Sequence, residues 1–291
     1  MKTTATILII ASLTLLSFRS DKPAYLLYSS EGKNVKYQKM IETISSADVV
    51  FFGELHDNPI AHWLEYEITA DLHEISADRL IMGAEMFETD NQLLIDEYLS
   101  SAYEADKFEA EVKLWKNYKT DYKPLLEFAR KNNLPFIATN IPRRYASMVS
   151  RKGLEVLDSL SPQAKEYFAP LPVFYDPEVK CYKDMMDMHG AQGMGGKPNE
   201  NLPKAQAVKD ATMAHFILNN LKPGKQFIHY NGSYHSDNYL GIIYYLMLYK
   251  PDIRVATIST VLQDDIETLL PENNALADFI VVIPGSMTRT Y

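Results

Sequence analysis

Two apolar runs in this chain stop at the same punctuation, and that repetition constrains the fold more than any other feature. Residues 49–56 read V-V-F-F-G-E-L-H and residues 227–235 read F-I-H-Y-N-G-S-Y-H. Each is a β-branched and aromatic stretch of strand length followed by Gly-x-x-His, which predicts a histidine just past the carboxyl end of each of two strands. Open α/β sheets bind their ligands at that edge. Glycine there permits a sharp turn or a close backbone approach, and histidine can act as base, metal ligand or haem neighbour.

Strand-like and helix-like segments alternate along the rest of the chain. Strands are expected at 49–53, 80–85, 135–140, 226–230, 253–257 and 279–283, and helices at 59–76, 91–100, 122–132, 204–221 and 237–249. Such spacing needs crossover connections, so the predicted fold class is α/β, a mostly parallel central sheet with helices on both faces. Two stretches lack strands, around 99–122 and 153–203, and are expected to form a helical insertion, or cap, above the sheet. One domain over 21–291 is the simplest account. With 291 residues, 46% hydrophobic and 23% charged, the chain is long enough for a sizeable core.

The first twenty residues place Lys2 before an apolar run over 5–16. That run is too short for a membrane span and fits a secretory signal peptide, which points to an exported protein of the periplasm or cell envelope. An uncleaved anchor is the alternative, and membrane association is expected through that segment alone. No cysteine follows the apolar run, so a lipid anchor is not expected. The single cysteine, Cys181, excludes an intrachain disulfide. A net charge of −9 gives no footprint for phosphate backbones, so nucleic acid is excluded as a partner.

The strand ends carry the chemistry. The first offers Glu54 and His56, two apart and on one side of an extended chain; the second offers Glu85, which cannot stay ionised in a core without a partner. The third offers Asn140 and Arg143, and the fourth Asn231, Ser233 and His235. Asp210 and Gln206 share a face of the 204–221 helix and can border the same crevice. His56, His235, Glu54 and Glu85 together suit a divalent transition metal, Zn, Mn or Fe, rather than Ca or Mg. The plainer alternative has Asp57 and Asn58 capping the next helix and Arg143 pairing with a carboxylate. Neither Ser233 nor Cys181 has the surroundings of a nucleophile.

The runs G-E-L-H-D-N-P, G-A-E-M-F-E-T-D-N-Q-L-L-I-D-E-Y-L, A-T-N-I-P-R-R, Q-A-V-K-D-A-T-M-A and Y-N-G-S-Y-H, in that order, resemble the ChaN family, the haem-binding members of the Tiki superfamily. The likeness spans about 49–283. It implies haem and iron acquisition, with haem held through a tyrosine at the interface of a homodimer. No covalent haem-attachment motif is present. Tyr145, Tyr175, Tyr182 and Tyr234 lie in or near the motifs or the second insertion and are the candidate ligands. His189 joins them from a stretch of methionines and glycines over 181–196 that can also be ordinary packing. The wider superfamily includes metal-dependent peptidases marked by two Gly-x-x-His motifs, here 53–56 and 232–235. Two functions therefore compete: a haem-binding protein, and a metal-dependent hydrolase in which Glu54 or Glu85 takes a proton from metal-bound water.

Overall fold

The apolar runs assemble into one seven-stranded sheet. The structure is a computed structural model that describes residues 22–191 and 199–291, without the side chains of 187–191. The expected signal segment, the His189 side chain and most of the glycine-rich stretch lie outside the described residues. The strands are β1 Leu26–Ser29, β2 Val49–Glu54, β3 Leu80–Glu88, β4 Phe136–Asn140, β5 Gln226–Gly232, β6 Val255–Gln263 and β7 Phe279–Pro284. Their order is β1-β7-β6-β2-β5-β3-β4, parallel throughout except for β1 against β7.

The helices are α1 Tyr37–Ile44, α2 Pro59–Ser76, α3 Gln92–Leu99, α4 Ala105–Glu111, α5 Lys123–Asn132, α6 Arg143–Lys152, α7 Pro162–Lys165, α8 Lys180–Ala191, α9 Asn201–Asn220 and α10 Ile242–Tyr249. Every residue of β2 is buried. Its alternate side chains feed two cores: Val50 and Phe52 pack with Met40, Leu64 and Leu126 of α1, α2 and α5, while Val49 and Phe51 pack with Val149, Val208 and Leu246 of α6, α9 and α10. Burial of Phe51 or Phe52 contributes about 2 kcal/mol. This two-faced burial is what an uninterrupted apolar strand implies.

Where the chain leaves β2 and β5 decides where a ligand can sit. These strands are neighbours, yet β2 connects through α2 on one face toward β3, whereas β5 connects through α10 on the other face toward β6. The diverging connections open a crevice beyond the carboxyl ends of β2 and β5, the strands that carry the two Gly-x-x-His ends.

Several boundaries differ from those expected, for local reasons. Pro59 opens α2 as predicted, with the Asn58 side chain accepting from the backbone N–H of Ile60 and Ala61 at 3.0 and 3.1 Å. β3 runs on to Glu88 through a register shift between Ala84 and Glu88, and Glu85 sits inside it. β6 continues to Gln263 because its buried hydroxyls are satisfied: Ser259 donates to Asp237 and Thr260 to the Gly53 carbonyl. β1 and α1, neither expected, add a short antiparallel edge and a helix that buries Met40, Ile41 and Ile44. The first insertion forms α4 and a π-type turn over Tyr118–Tyr122; the second supplies Phe168, Val173 and Tyr182 to the α9 face.

Candidate functional site

The two Gly-x-x-His ends interlock. A Cβ on Gly53 would lie 2.9 Å from the Ser233 backbone, and one on Gly232 would lie 2.7 Å from Nε2 of His56. Each glycine thus makes room for the other motif, a tighter constraint than a turn alone. The Gly232 N–H donates to Glu85 at 2.8 Å, which ties β5 to β3 at the same level.

Beneath the crevice lies His235, only 5% exposed. Its Nδ1 meets Asp210, and its Nε2 lies 3.2 Å from Glu85. Tyr182 donates its hydroxyl proton to the other Asp210 oxygen at 2.8 Å. Burial opposes a charge on the imidazole, but Glu85 and Asp210 outweigh it and carry His235 up to about 10. Glu85, although buried, is held well below the carboxylate range by His235, whereas burial pushes Asp210 up.

His56 sits higher, with about a third of its side chain exposed and its ring edge against Trp115 at 4.9 Å. Its Nδ1 lies 2.5 Å from Glu54. Glu54 is fully buried and turns toward α2, where His62 Nδ1 is 2.9 Å away; Tyr122 donates to its other oxygen at 2.8 Å. Glu65, on the same face of α2, lies 3.4 Å from His62 Nδ1.

A pocket of about 280 Å³ joins these ends. His56, Glu85, Asn140, Arg143 and His235 all line it, so the structure brings together five of the residues expected at the strand ends. Asp210 lies behind it through His235. Asn231 is fully buried; it donates to Ser236 at 3.0 Å and accepts from the neutral ring of His229 at 3.0 Å, and so serves the β5 turn. Glu54 is drawn toward α2, and among the described residues the close-set group of possible metal ligands is Glu54, His62 and Glu65. None of the four candidate tyrosines lines the pocket. Tyr182 is committed to Asp210, Tyr234 to the Cys181 carbonyl, Tyr145 lies under the Arg144 guanidinium at 4.4 Å, and Tyr175 packs on Tyr182.

Sequence reasoning missed Glu88, Trp115 and Lys209, which complete the pocket wall, and Tyr291, which lines an adjoining hollow. It also missed His62 and Glu65, although an i, i+3 pair on a helix that follows a site strand is a legible signal. Arg143, expected as a possible salt-bridge partner, forms no ion pair among the described residues and is exposed at the mouth; Arg144 takes Asp90 instead.

The model of the family described as "Haem-binding uptake, Tiki superfamily, ChaN" matches residues 40–246. The fold is similar to that of ChaN from Campylobacter jejuni, solved with cofacial haem, at a TM-score of 0.66 and 16% identity over 90% of this chain and 97% of that one. An erythromycin esterase mutant in its open conformation aligns at a TM-score of 0.48 and 11% identity over 88% and 82%. A chloroplastic Arabidopsis thaliana protein, RETICULATA-RELATED 5, is 27% identical over 145 residues, 48% of this chain. The chain spans only 19% of that relative's length.

Proposed function

We propose, from the premise that this chain belongs to the ChaN family of haem-binding uptake proteins in the Tiki superfamily, that it binds haem across the mouth of the crevice between β2 and β5. One observation carries the assignment to this mouth. Arg143 and Lys209, which make no ion pairs among the described residues, flank a pocket walled by Trp115 and Ile141. A flat apolar ligand edged by two carboxylates suits that arrangement of stacking surface and cations. At about 280 Å³ the pocket is at the low end for small-molecule sites. Hollows of about 300 and 320 Å³ flank it, and both share Arg143. A macrocycle therefore fits across the rim rather than inside the pocket.

Ferric haem bound there would be held by a side chain of the protein, and a phenolate is the type that family membership implies. Of the tyrosines, Tyr291 suits the role: it lines the hollow beside Trp115 and Arg143 and is 64% exposed. The Campylobacter jejuni relative holds haem cofacially. Carried over to this chain, an open-faced haem brings two copies together, so a homodimer forms on loading. Export, supported by the apolar segment over 5–16, and a role in iron acquisition, supported by the family's description as haem-binding uptake proteins, complete the proposal. Titration of ferric haem should give a phenolate-type visible spectrum that Tyr291→Phe removes, while Tyr→Phe changes at 145, 175, 182 and 234 leave it. Lack of binding by the intact protein would overturn the function; an unchanged spectrum in Tyr291→Phe would overturn the ligand.

The buried Glu85–His235–Asp210 array favours a second reading, since carrying haem gives no use for it. In that reading His56, His235 and Glu85 face a divalent ion, Zn, Mn or Fe, which supplies an activated water for hydrolysis. Asp210 on Nδ1 would orient His235 Nε2 toward the pocket as carboxylates orient metal-ligating histidines, but the close-set ligand group among the described residues lies at α2, so these three side chains would have to close on the ion. Glu85→Gln should then abolish peptidase activity; absence of such activity in the metal-loaded protein rejects this reading.

A further inference from the structure

Behind the mouth, on the α2 side of the sheet, three ligand-type side chains converge; of these only Glu54 reaches the mouth, through Nδ1 of His56. Glu54 comes from the end of β2, and His62 and Glu65 from successive turns of α2. Their nearest oxygen and nitrogen atoms all lie within 4.8 Å of one another, and all three residues are buried. Two carboxylates so placed repel each other, and burial makes the repulsion expensive. Burial and Glu54 together push Glu65 well above its ordinary range, and His62, which lies between the two carboxylates, pulls it back.

Two further observations point to something between these groups. Oε1 of Glu65 and Oε2 of Glu54 are buried without a hydrogen-bond partner; Oε2 lies 2.9 Å from His62 Nδ1 but outside hydrogen-bonding geometry. Buried carboxylate oxygens are rarely left so. The other face of His62 is prepared in the manner of a metal ligand. Its Nε2 lies 3.2 Å from the His56 carbonyl and 3.3 Å from Asp121, and Asn117 donates to both of those acceptors, at 2.9 and 2.7 Å. A carboxylate behind one ring nitrogen orients the ring, so that the other nitrogen, which here faces Glu54 and Glu65, can bind an ion on giving up its proton. The π-type turn over Tyr118–Tyr122 presents both Asp121 and Tyr122 to this cluster, and such turns recur at functional sites.

We propose that Glu54, His62 and Glu65 form a structural site for one divalent transition ion of the Zn or Mn type, separate from the mouth. The spread of the ligand atoms closes to coordination distances of about 2.0–2.2 Å with small side-chain movements. One nitrogen and two carboxylates suit these borderline to hard ions. His62 and Asp121 also form part of the wall of a different hollow, of about 720 Å³, so the ion has an approach that does not cross the haem mouth. The ion would pin α2 to the end of β2 just below His56.

The test is elemental analysis of full-length protein after loading with Zn²⁺ or Mn²⁺ and dialysis, with thermal melts alongside. The wild type and His235→Ala should each keep one equivalent at this site, and loading should raise Tm by about 5 °C. Glu65→Gln, nearly the same shape as the native side chain, should fold, bind haem as the wild type does, lose that equivalent and show no rise in Tm. The proposal is overturned if the wild type retains no ion, or if the retained ion disappears with His235→Ala and persists in Glu65→Gln. Haem titration is read separately, so failure here leaves the haem proposal standing and failure there leaves this one.

Discussion

His56 and His235 close the same four-residue pattern at the ends of adjacent strands, yet the protein treats them differently. His56 stands at the lip with a third of its side chain in solvent, and the carboxylate on its Nδ1, Glu54, is shared with Tyr122 and His62. His235 lies under the floor between two buried carboxylates that hold its charge. The difference comes from the partner strands and helices: α9 delivers Asp210 to one end, and the first insertion delivers Trp115 to the other. A shared motif therefore fixes where an imidazole sits, while its protonation is set by elements far away in sequence.

The sharpest break of this comparison is replacement of each histidine by alanine. His235→Ala leaves Glu85 and Asp210 buried without their cation and should cost about 3–5 kcal/mol in urea unfolding. His56→Ala, at the solvent edge, should cost about 1 kcal/mol. Equal losses would mean that the floor and the lip are energetically alike.

A third imidazole on the same strand sharpens it by pH. His229 is fully buried among neutral partners, Thr139 at 2.8 Å and Asn231 at 3.0 Å; burial depresses it to about 4. Its ordinary value is 6.5, so its contribution is complete above 6.5. As pH falls toward 4 the unfolded chain takes a proton that the folded one refuses, and about 3 kcal/mol is lost. His235 is raised instead, so its contribution is complete below 6.5 and fades as pH climbs to about 10. Stability measured from pH 4 to 10 should fall on both limbs, and His235→Gln should make the alkaline limb shallower, the remainder coming from His62, which Glu54 and Glu65 raise to about 11.

The glycines carry the comparison to the backbone. Gly53→Ala meets backbone at 2.9 Å and should cost about 3 kcal/mol, whereas Gly232→Ala meets the His56 ring, which can swing away, and should cost about 1 kcal/mol while displacing His56 from the mouth. A reversed order, read from unfolding curves, would show that the His56 ring is the less yielding neighbour.

Much of this was legible in the sequence, for identifiable reasons. β2 and α2 are bounded by strong signals, an apolar run, Gly53, Asn58 and Pro59, and the alternation of such runs with helices announced a parallel sheet. β1 was not legible because four residues on an antiparallel edge carry no periodicity of their own. The end of β6 was hidden because Ser259 and Thr260 look like a turn until Asp237 and the Gly53 carbonyl accept their protons. At the site, the four strand ends announced themselves, whereas the direction in which Glu54 points did not. That direction depends on His62, Glu65 and Tyr122, which the fold and not the chain order brings near.

The reciprocal fit of the glycines also acts as a register lock. In the native pairing Gly53 lies opposite Asn231 and Glu54 opposite Gly232. Sliding β5 by a single residue would exchange its inward and outward side chains and bring a side chain where His56 now has only hydrogen to pass. The two strands come from distant parts of the chain, and their correct alignment is the same event that shapes the mouth. A molecule whose sheet is out of step therefore has no pocket to fill, and ligand capture becomes a readout of finished assembly.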